Sequence, residues 1–281
     1  MKKRAASVVF AAGKGSRMIG FDGNKTLLPL VSRGSLYEGQ HPMLLEVLSN
    51  LPPGPKGVVV HHRAQDIREA TQELELEYLH QPAANGTGGA LLAARHFLAI
   101  VPEETVIITM GDVPLIRPAT YERLMAALSH HAFVLLAFEP KDRGQYGMVE
   151  MEGESVVGIV EWKYWSKYPG QKQEKLRYGN AGVYAARRRV LLRYLEKLAA
   201  RPHVVRKQRG DRWVDVEEFF LTDLVELMNE DGMRAGMVVA PEFEVTGVDT
   251  PESLARVQDL YARLAMGQSP WQESGADMRT R

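Results

Sequence analysis

The chain has 281 residues, enough for one large domain or two small ones, and 45% of them are hydrophobic, an ordinary share for a chain that buries a core. Lysine plus arginine number 35 and aspartate plus glutamate 35, so the formal net charge is zero, which argues against duplex nucleic acid as a general partner. With no cysteine there are no disulfides or thiolate metal sites, which suits a reducing compartment. No stretch approaches the roughly 18 apolar residues of a membrane helix. The run behind Lys2-Lys3-Arg4 is too short for a signal segment. These features lead us to expect a soluble, cytoplasmic protein.

Ser7 to Phe10 is a short apolar run bounded by turn residues, the pattern of a buried strand. Ser32 to Pro42 is polar and glycine-containing and reads as a loop, a candidate lid. Met43 to Leu51 has helical spacing and ends at Pro52-Pro53-Gly54-Pro55. Strand and helix patterns then alternate: strand Gly57 to Val60, helix Arg63 to Glu75, strand Leu76 to His80, helix Ala90 to Ile100, strand Thr105 to Met110, helix Pro118 to His130 and strand Phe133 to Phe138. This is the rhythm of an α/β fold, a doubly wound, mostly parallel sheet covered on both faces.

After Glu139 the rhythm changes. Met148 to Met151 and Ser155 to Val160 read as strands around Glu152-Gly153-Glu154, followed by a charged, aromatic stretch from Trp162 to Arg177. Tyr178 to Ala186 reads as a strand, Val190 to Ala200 and Val216 to Asn229 as helices, and Gly236 to Ala240 and Phe243 to Thr246 as late strands. Pro251 to Ala265 is a helix announced by Thr250-Pro251-Glu252. We expect one domain over 1–266, with a small substrate-binding β subdomain at about 140–235 and a polar tail at 267–281.

Three clusters lie at expected strand ends. Beyond β-like Ser7–Phe10 stand Ala11-Ala12-Gly13-Lys14-Gly15, with Arg17 and Lys25 following. Small residues admit a ligand close to the backbone, successive N–H groups wrap an anion, and three cations stand nearby. This suits a polyphosphate, and we expect a nucleoside triphosphate there. Neither the P-loop spacing nor the dinucleotide fingerprint fits, since Met18 stands where the latter needs glycine or alanine. The second cluster, Gln81 to Ala90 with Gly86-Thr87, offers an amide that can pair with a pyrimidine edge, and glycines that let backbone lie against a base. The third is Met110-Gly111-Asp112-Val113-Pro114. An acid leaving a buried strand is costly unless paired or holding a metal. Taken singly, each cluster also has a plain structural reading as a strand-to-helix loop or a cap.

Ala11 to Met18 followed by Lys25-Thr26-Leu27-Leu28-Pro29 resembles the signature of the sugar-1-phosphate nucleotidyltransferases (nucleoside-diphosphate-sugar pyrophosphorylases), with the closest likeness in the N-acetylglucosamine-1-phosphate uridylyltransferase branch. The resemblance runs by motif order from about Ser7 to about Leu260. It implies the nucleotide-diphospho-sugar transferase type of Rossmann-like sheet. It also implies nucleotidyl transfer from a nucleoside triphosphate, UTP by this likeness, to a sugar-1-phosphate such as N-acetylglucosamine-1-phosphate. By the same resemblance Ala11, Ala12, Gly13, Lys14, Gly15 and Gly111 bind the nucleotide and Gln81, Gly86 and Thr87 hold the base. Arg17 stabilises the leaving pyrophosphate and Lys25 contacts the phosphates at the reacting centre. Asp112 and Asp249 bind Mg2+. Gly147 (in Gly144-Gln145-Tyr146-Gly147), Glu161 (in Gly158 to Lys163) and Asn180 (in Asn180-Ala181-Gly182) meet the sugar phosphate.

This chain has Gly89 where the uridylyltransferase branch it resembles carries histidine, Met148 where the family often has arginine, and a longer 162–177 stretch. The hexapeptide repeats of bifunctional members are not found in the sequence, so no acetyltransferase activity is expected. From charge balance and the lack of a long apolar stretch we expect neither nucleic acid nor membrane as a partner, and a homo-oligomer stays open. The alternatives are a cytidylyl-, thymidylyl- or guanylyltransferase on another phosphate acceptor, or a non-catalytic nucleotide-binding relative.

Overall fold

A computed structural model of the chain describes residues 3–209 and 212–268. The expected polar tail therefore lies, beyond Gln268, outside the described residues. The first half runs β1 (Ala6–Phe10), a 3-10 turn (Lys25–Leu27), β2 (Pro29–Arg33), β3 (Ser35–Pro42), α1 (Met43–Asn50), β4 (Lys56–Val60), α2 (Ala64–Ala70), β5 (Glu77–His80), α3 (Gly86–Ala93), α4 (Arg95–Ile100), β6 (Thr105–Met110), α5 (Pro118–Ala127) and β7 (Phe133–Phe138). The second half runs β8 (Met148–Glu152), β9 (Ser155–Val160), α6 (Trp162–Trp165), α7 (Gly170–Glu174), β10 (Gly179–Arg187), α8 (Arg188–Ala199), β11 (His203–Arg209), β12 (Arg212–Glu218), α9 (Asp223–Glu230), β13 (Gly236–Val239), a second 3-10 turn (Glu242–Val245) and α10 (Pro251–Ala265).

The central sheet has the order β13-β7-β10-β6-β1-β4-β5. β1 pairs in parallel with both β4 and β6, β4 with β5, and β13 with β7. β10 is antiparallel to β6 and β7, and β8, which carries β9, branches off the start of β10 at Gly179. All five residues of β1 are buried because both faces are covered. Successive side chains of a strand point to opposite faces. Ala6, Val8 and Phe10 thus join a core with α3, α4, α8 and α9, whereas Val9 joins the opposite core with α1, α2 and α5. Each fully buried valine contributes about 1.5–3 kcal/mol. A third core places Leu254 and Val257 of α10 against Leu30 of the β2–β3 hairpin and Met43 at the start of α1.

The fold corrects the sequence reading in three places. Residues 32–42 belong to the β2–β3 hairpin and are not a loop; the strands stay polar because much of the hairpin is exposed. Val216 to Glu218 end strand β12 rather than begin a helix, and the helix starts at Asp223. β12 pairs with β11, a strand the sequence reading missed. Phe243 to Val245 form a 3-10 turn, not a strand.

Candidate active site

Parallel strands present their last backbone groups on one edge, and here β1, β4, β5 and β6 end together. The N–H of Ala11 donates to Val59 O at 2.9 Å, that of Gln81 to Val60 O at 2.9 Å and that of Gly111 to Phe10 O at 2.9 Å. A Cβ at Gly111 would meet Phe10 O and Thr26 Cγ2 at 3.1 Å each, so glycine lets the two chain segments close here.

Asn24, 1% exposed, locks this edge. Its Nδ2 donates to Ala11 O at 2.9 Å and His62 O at 3.0 Å, while its Oδ1 accepts from Thr26 N at 3.0 Å and Thr26 Oγ1 at 2.8 Å. This staple fixes the turn that begins with Lys25. Gly15, with φ +60°, leaves room for the lysine, since a Cβ there would touch Lys25 Cβ at 3.1 Å. Asn24 has no role in the sequence analysis. Its signal was an asparagine immediately before a cation that the phosphate reading needs.

Lys25 Nζ stands 2.5 Å from Asp112 Oδ2 and 2.5 Å from Asp249 Oδ1. Arg17 reaches Asp249 Oδ2 at 3.0 Å. The two acids are brought together by backbone: Val248 N donates to Asp112 O at 3.0 Å. Asp249 precedes α10, whose first turn is closed by a capping box between Thr250 and Ser253, and its own N–H donates to Ser253 Oγ at 2.9 Å. Burial works against the Lys25 ammonium, yet Asp112 and Asp249 outweigh it and hold its pKa above the ordinary value. Burial likewise opposes the Asp249 carboxylate, and Lys25 and Arg17 reverse that, leaving its pKa below the usual range.

Among the described residues no group of three His, Cys, Asp or Glu side chains converges as a metal cluster. The pair of carboxylates does fit a hard divalent cation. Both oxygens already face one positive charge, that of Lys25, and magnesium characteristically takes one or two carboxylates with waters and substrate phosphates.

Beside this centre lies a cavity of about 250 Å³ lined by Ala12, Gly13, Lys25, Gln81, Gly86, Thr87, Met110 and Asp112, among others. Lys14 is exposed on the same loop. A strap at 219–221 holds the far wall. Phe219 N donates to Asn85 O at 2.9 Å, Gly88 N to Phe219 O at 2.8 Å and Leu221 N to Thr87 Oγ1 at 3.1 Å. Gly86, at φ +91°, is needed because a Cβ would sit 2.4 Å from Phe219 O. A larger hollow of about 550 Å³ lies between α1, α5 and α10, but its carboxylate Glu46 is already engaged by His41 and Asn50.

Gly147, Glu161 and Asn180 come together as well. Asn180 N donates to Gly147 O at 2.8 Å, and a Cβ at Gly147 would lie 3.5 Å from Glu161 Oε2. Asn180 is oriented by Tyr184, whose hydroxyl accepts from its Nδ2 at 2.8 Å, and by Gly182 N. Burial raises the Glu161 pKa despite the opposing Thr222 hydroxyl, 3.4 Å away. Met110 links this cluster to the cavity, since a Cβ at Gly182 would meet its Cε at 3.2 Å. The 162–177 stretch forms α6 and α7 and braces the turn before Gly147. Trp165 Nε1 donates to Tyr146 O at 2.8 Å, and Arg143 donates to Gln173 O at 2.8 Å. Thr222, Tyr184 and Trp165 were not singled out by the sequence reading as supports.

Against known families, residues 7–211 match the model of the MobA-like NTP transferase domain. The chain belongs to the MobA-like NTP transferase domain family. Two similar relatives carry one name. "Bifunctional protein GlmU" of Cereibacter sphaeroides is 33% identical over 263 residues, covering 92% of this chain and 52% of the relative. The protein of the same name in Ruegeria sp. is 32% identical, covering 91% and 52%. The chain thus spans about half the length of these relatives. Among solved structures, uridine diphosphate N-acetylglucosamine pyrophosphorylase from Trypanosoma brucei superposes with TM-score 0.68 at 15% identity, over 90% of this chain and 64% of that one. CMP:2-keto-3-deoxy-manno-octonic acid synthetase, complexed with CTP, gives TM-score 0.61 at 19% identity, over 93% and 100%. These two similarities establish the nucleotide-diphospho-sugar transferase fold. No described helix is long and apolar enough to cross a membrane.

Proposed function

We propose that this MobA-like NTP transferase domain catalyses nucleotidyl transfer from UTP to a sugar-1-phosphate, N-acetylglucosamine-1-phosphate by its motif resemblance to the N-acetylglucosamine-1-phosphate uridylyltransferase branch, in the presence of Mg2+. The observation that carries this reading is the joint placement of Lys25, Arg17, Asp112 and Asp249 at the mouth of a glycine-walled cavity.

In the reaction a bond forms between a phosphate oxygen of the sugar phosphate and the α-phosphorus, and the bond to pyrophosphate breaks in line. The attacking oxygen is already ionised near neutral pH, so no general base is required. The chain's work is positioning and charge neutralisation. The backbone from Ala11 to Gly15 wraps the phosphates, and Gln81, Gly86 and Thr87 hold the base. Arg17, helped by Lys14, takes the charge that grows on the leaving pyrophosphate. Lys25 moves from the two carboxylates to the incoming phosphates. Gly147, Glu161 and Asn180 receive the sugar. Asp112 and Asp249 would hold a divalent cation, which would supply Lewis acidity there.

The test is pyrophosphate release from UTP and Mg2+ with a panel of sugar-1-phosphates. Turnover with a hexosamine-1-phosphate supports the reading. Tight nucleotide binding without turnover on any phosphate acceptor overturns it.

A further inference from the structure

Gln81 is 3% exposed and lines the cavity. Its Nε2 donates to Asn85 Oδ1 at 2.8 Å and to Gly86 O at 3.2 Å. A peptide carbonyl can only accept, so the nitrogen of the Gln81 amide must face Gly86. Both Nε2 hydrogens are then committed, and Oε1 is the amide atom left for a ligand.

Asn85 holds its own place through backbone on both sides: its N–H donates to Ala83 O at 2.8 Å and its carbonyl accepts from Phe219 N at 2.9 Å. Its side chain occupies the space above Gly89. A Cβ at Gly89 would stand 1.9 Å from Asn85 Oδ1 and 2.5 Å from its Cγ. Gly89 lies inside α3, outside the left-handed region, so this glycine is explained by room for Asn85 rather than by backbone conformation.

We propose that Asn85 is a positioning residue that, together with the Gly86 carbonyl, holds the polarity of the Gln81 amide, so that the pocket prefers uracil or thymine to cytosine. The inference rests on the reading of this cavity as the base site. Uracil and thymine carry an N3–H donor that pairs with Oε1. Cytosine presents a lone pair at N3 and would require the amide to turn over. That rotation would place Oε1 against Gly86 O and break both Nε2 hydrogen bonds.

Dissociation constants for UTP, dTTP and CTP with Mg2+, measured by calorimetry on the wild-type chain and variants, test this. The wild-type chain should bind UTP and dTTP more tightly than CTP. Asn85→Ala should narrow the CTP-to-UTP ratio by about tenfold, the discrimination expected of one hydrogen bond. Asn85→Asp, which keeps an acceptor at the same place, should preserve it. Gly89→Ala should mimic Asn85→Ala, and the double variant, in which the clash is relieved, should be no worse than either single one. An unchanged ratio in Asn85→Ala, multiplying effects of the two substitutions, or tighter CTP binding by the wild-type chain would overturn the proposal while leaving nucleotidyl transfer standing. Binding of none of the three nucleotides would overturn the proposed function with it.

Discussion

Lys25 and Asp249 are 224 residues apart in the chain, and their Nζ and Oδ1 lie 2.5 Å apart in the fold. The same ammonium lies 2.5 Å from Asp112. Lys25 therefore bridges two acids that leave the ends of different elements, β6 and the turn before α10, while Arg17 adds a second cation on Asp249. The lysine side chain is 11% exposed, so water screens it little.

Removing that charge should expose the repulsion it masks. Lys25→Met is expected to lower the nucleotide-free stability by about 1–3 kcal/mol, because Asp112 then loses its ammonium partner and Asp249 keeps only Arg17. Millimolar Mg2+ should recover more stability in the variant than in the wild-type chain. Urea denaturation with and without Mg2+ checks this, and equal responses of the two chains would contradict the fit of the carboxylate pair to a divalent cation.

The Asn24 staple should matter to both stability and nucleotide binding. Asn24→Ala leaves the carbonyls of Ala11 and His62 and the N–H of Thr26 without their partner, at a cost of about 2–4 kcal/mol. Because the turn carrying Lys25 loses its anchor, UTP affinity should fall by about tenfold or more. Asn24→Asp restores only the acceptor half of the staple and should fall between the two. Denaturant melts and calorimetry together measure these effects.

Glu161 gives a pH signature. Burial raises its carboxyl pKa, the Thr222 hydroxyl and Lys163 only partly opposing this. For an acid with a raised folded-state pKa, the contribution to stability is complete below the unfolded-state value, about 4.3, and is lost as pH rises through the folded value. Glu161→Gln removes that titration. The variant should therefore gain in Tm relative to the wild-type chain as pH rises from about 4 towards neutrality. Its KM for the sugar phosphate should rise by about tenfold, since a charged acceptor for sugar hydroxyls is lost. A Tm difference independent of pH would contradict the assignment.

Much of the sheet could be read in advance because each central strand announces itself. Val8, Val9 and Phe10, or Val106, Ile107 and Ile108, are apolar without alternation because both faces of the sheet are covered. The glycine-rich turn beside the two acids was legible because glycines and cations cluster where β1 ends. Elements away from the core gave weaker signals. The β2–β3 and β11–β12 hairpins are two-stranded, and most of their described side chains are polar, so glycine in one and charge in the other masked them. In β12 the alternation of Trp213, Val214, Asp215 and Val216 is visible in retrospect, but the apolar residues from Phe219 onward pulled the reading towards one long helix. The meeting of Asp112 with Asp249 came from family likeness. No local pattern encodes it, because the hydrogen bond from Val248 to Asp112 spans most of the second half of the chain. The Lys25 bridge between the two acids was not foreseen, nor was the hold of Asn85 on Gln81, which depends on the space left by Gly89.

The central claim is that Asp112 and Asp249 serve one divalent cation at a nucleotidyl-transfer centre. It is tested most directly by steady-state pyrophosphate release from UTP and a sugar-1-phosphate across a Mg2+ titration. The wild-type chain and the Asp112→Ala and Asp249→Ala variants should be compared, with folding of each verified by Tm. Each variant should lose about a hundredfold or more in kcat/KM and require more Mg2+ for its residual rate. Near wild-type turnover with an unshifted Mg2+ requirement in either variant would contradict it.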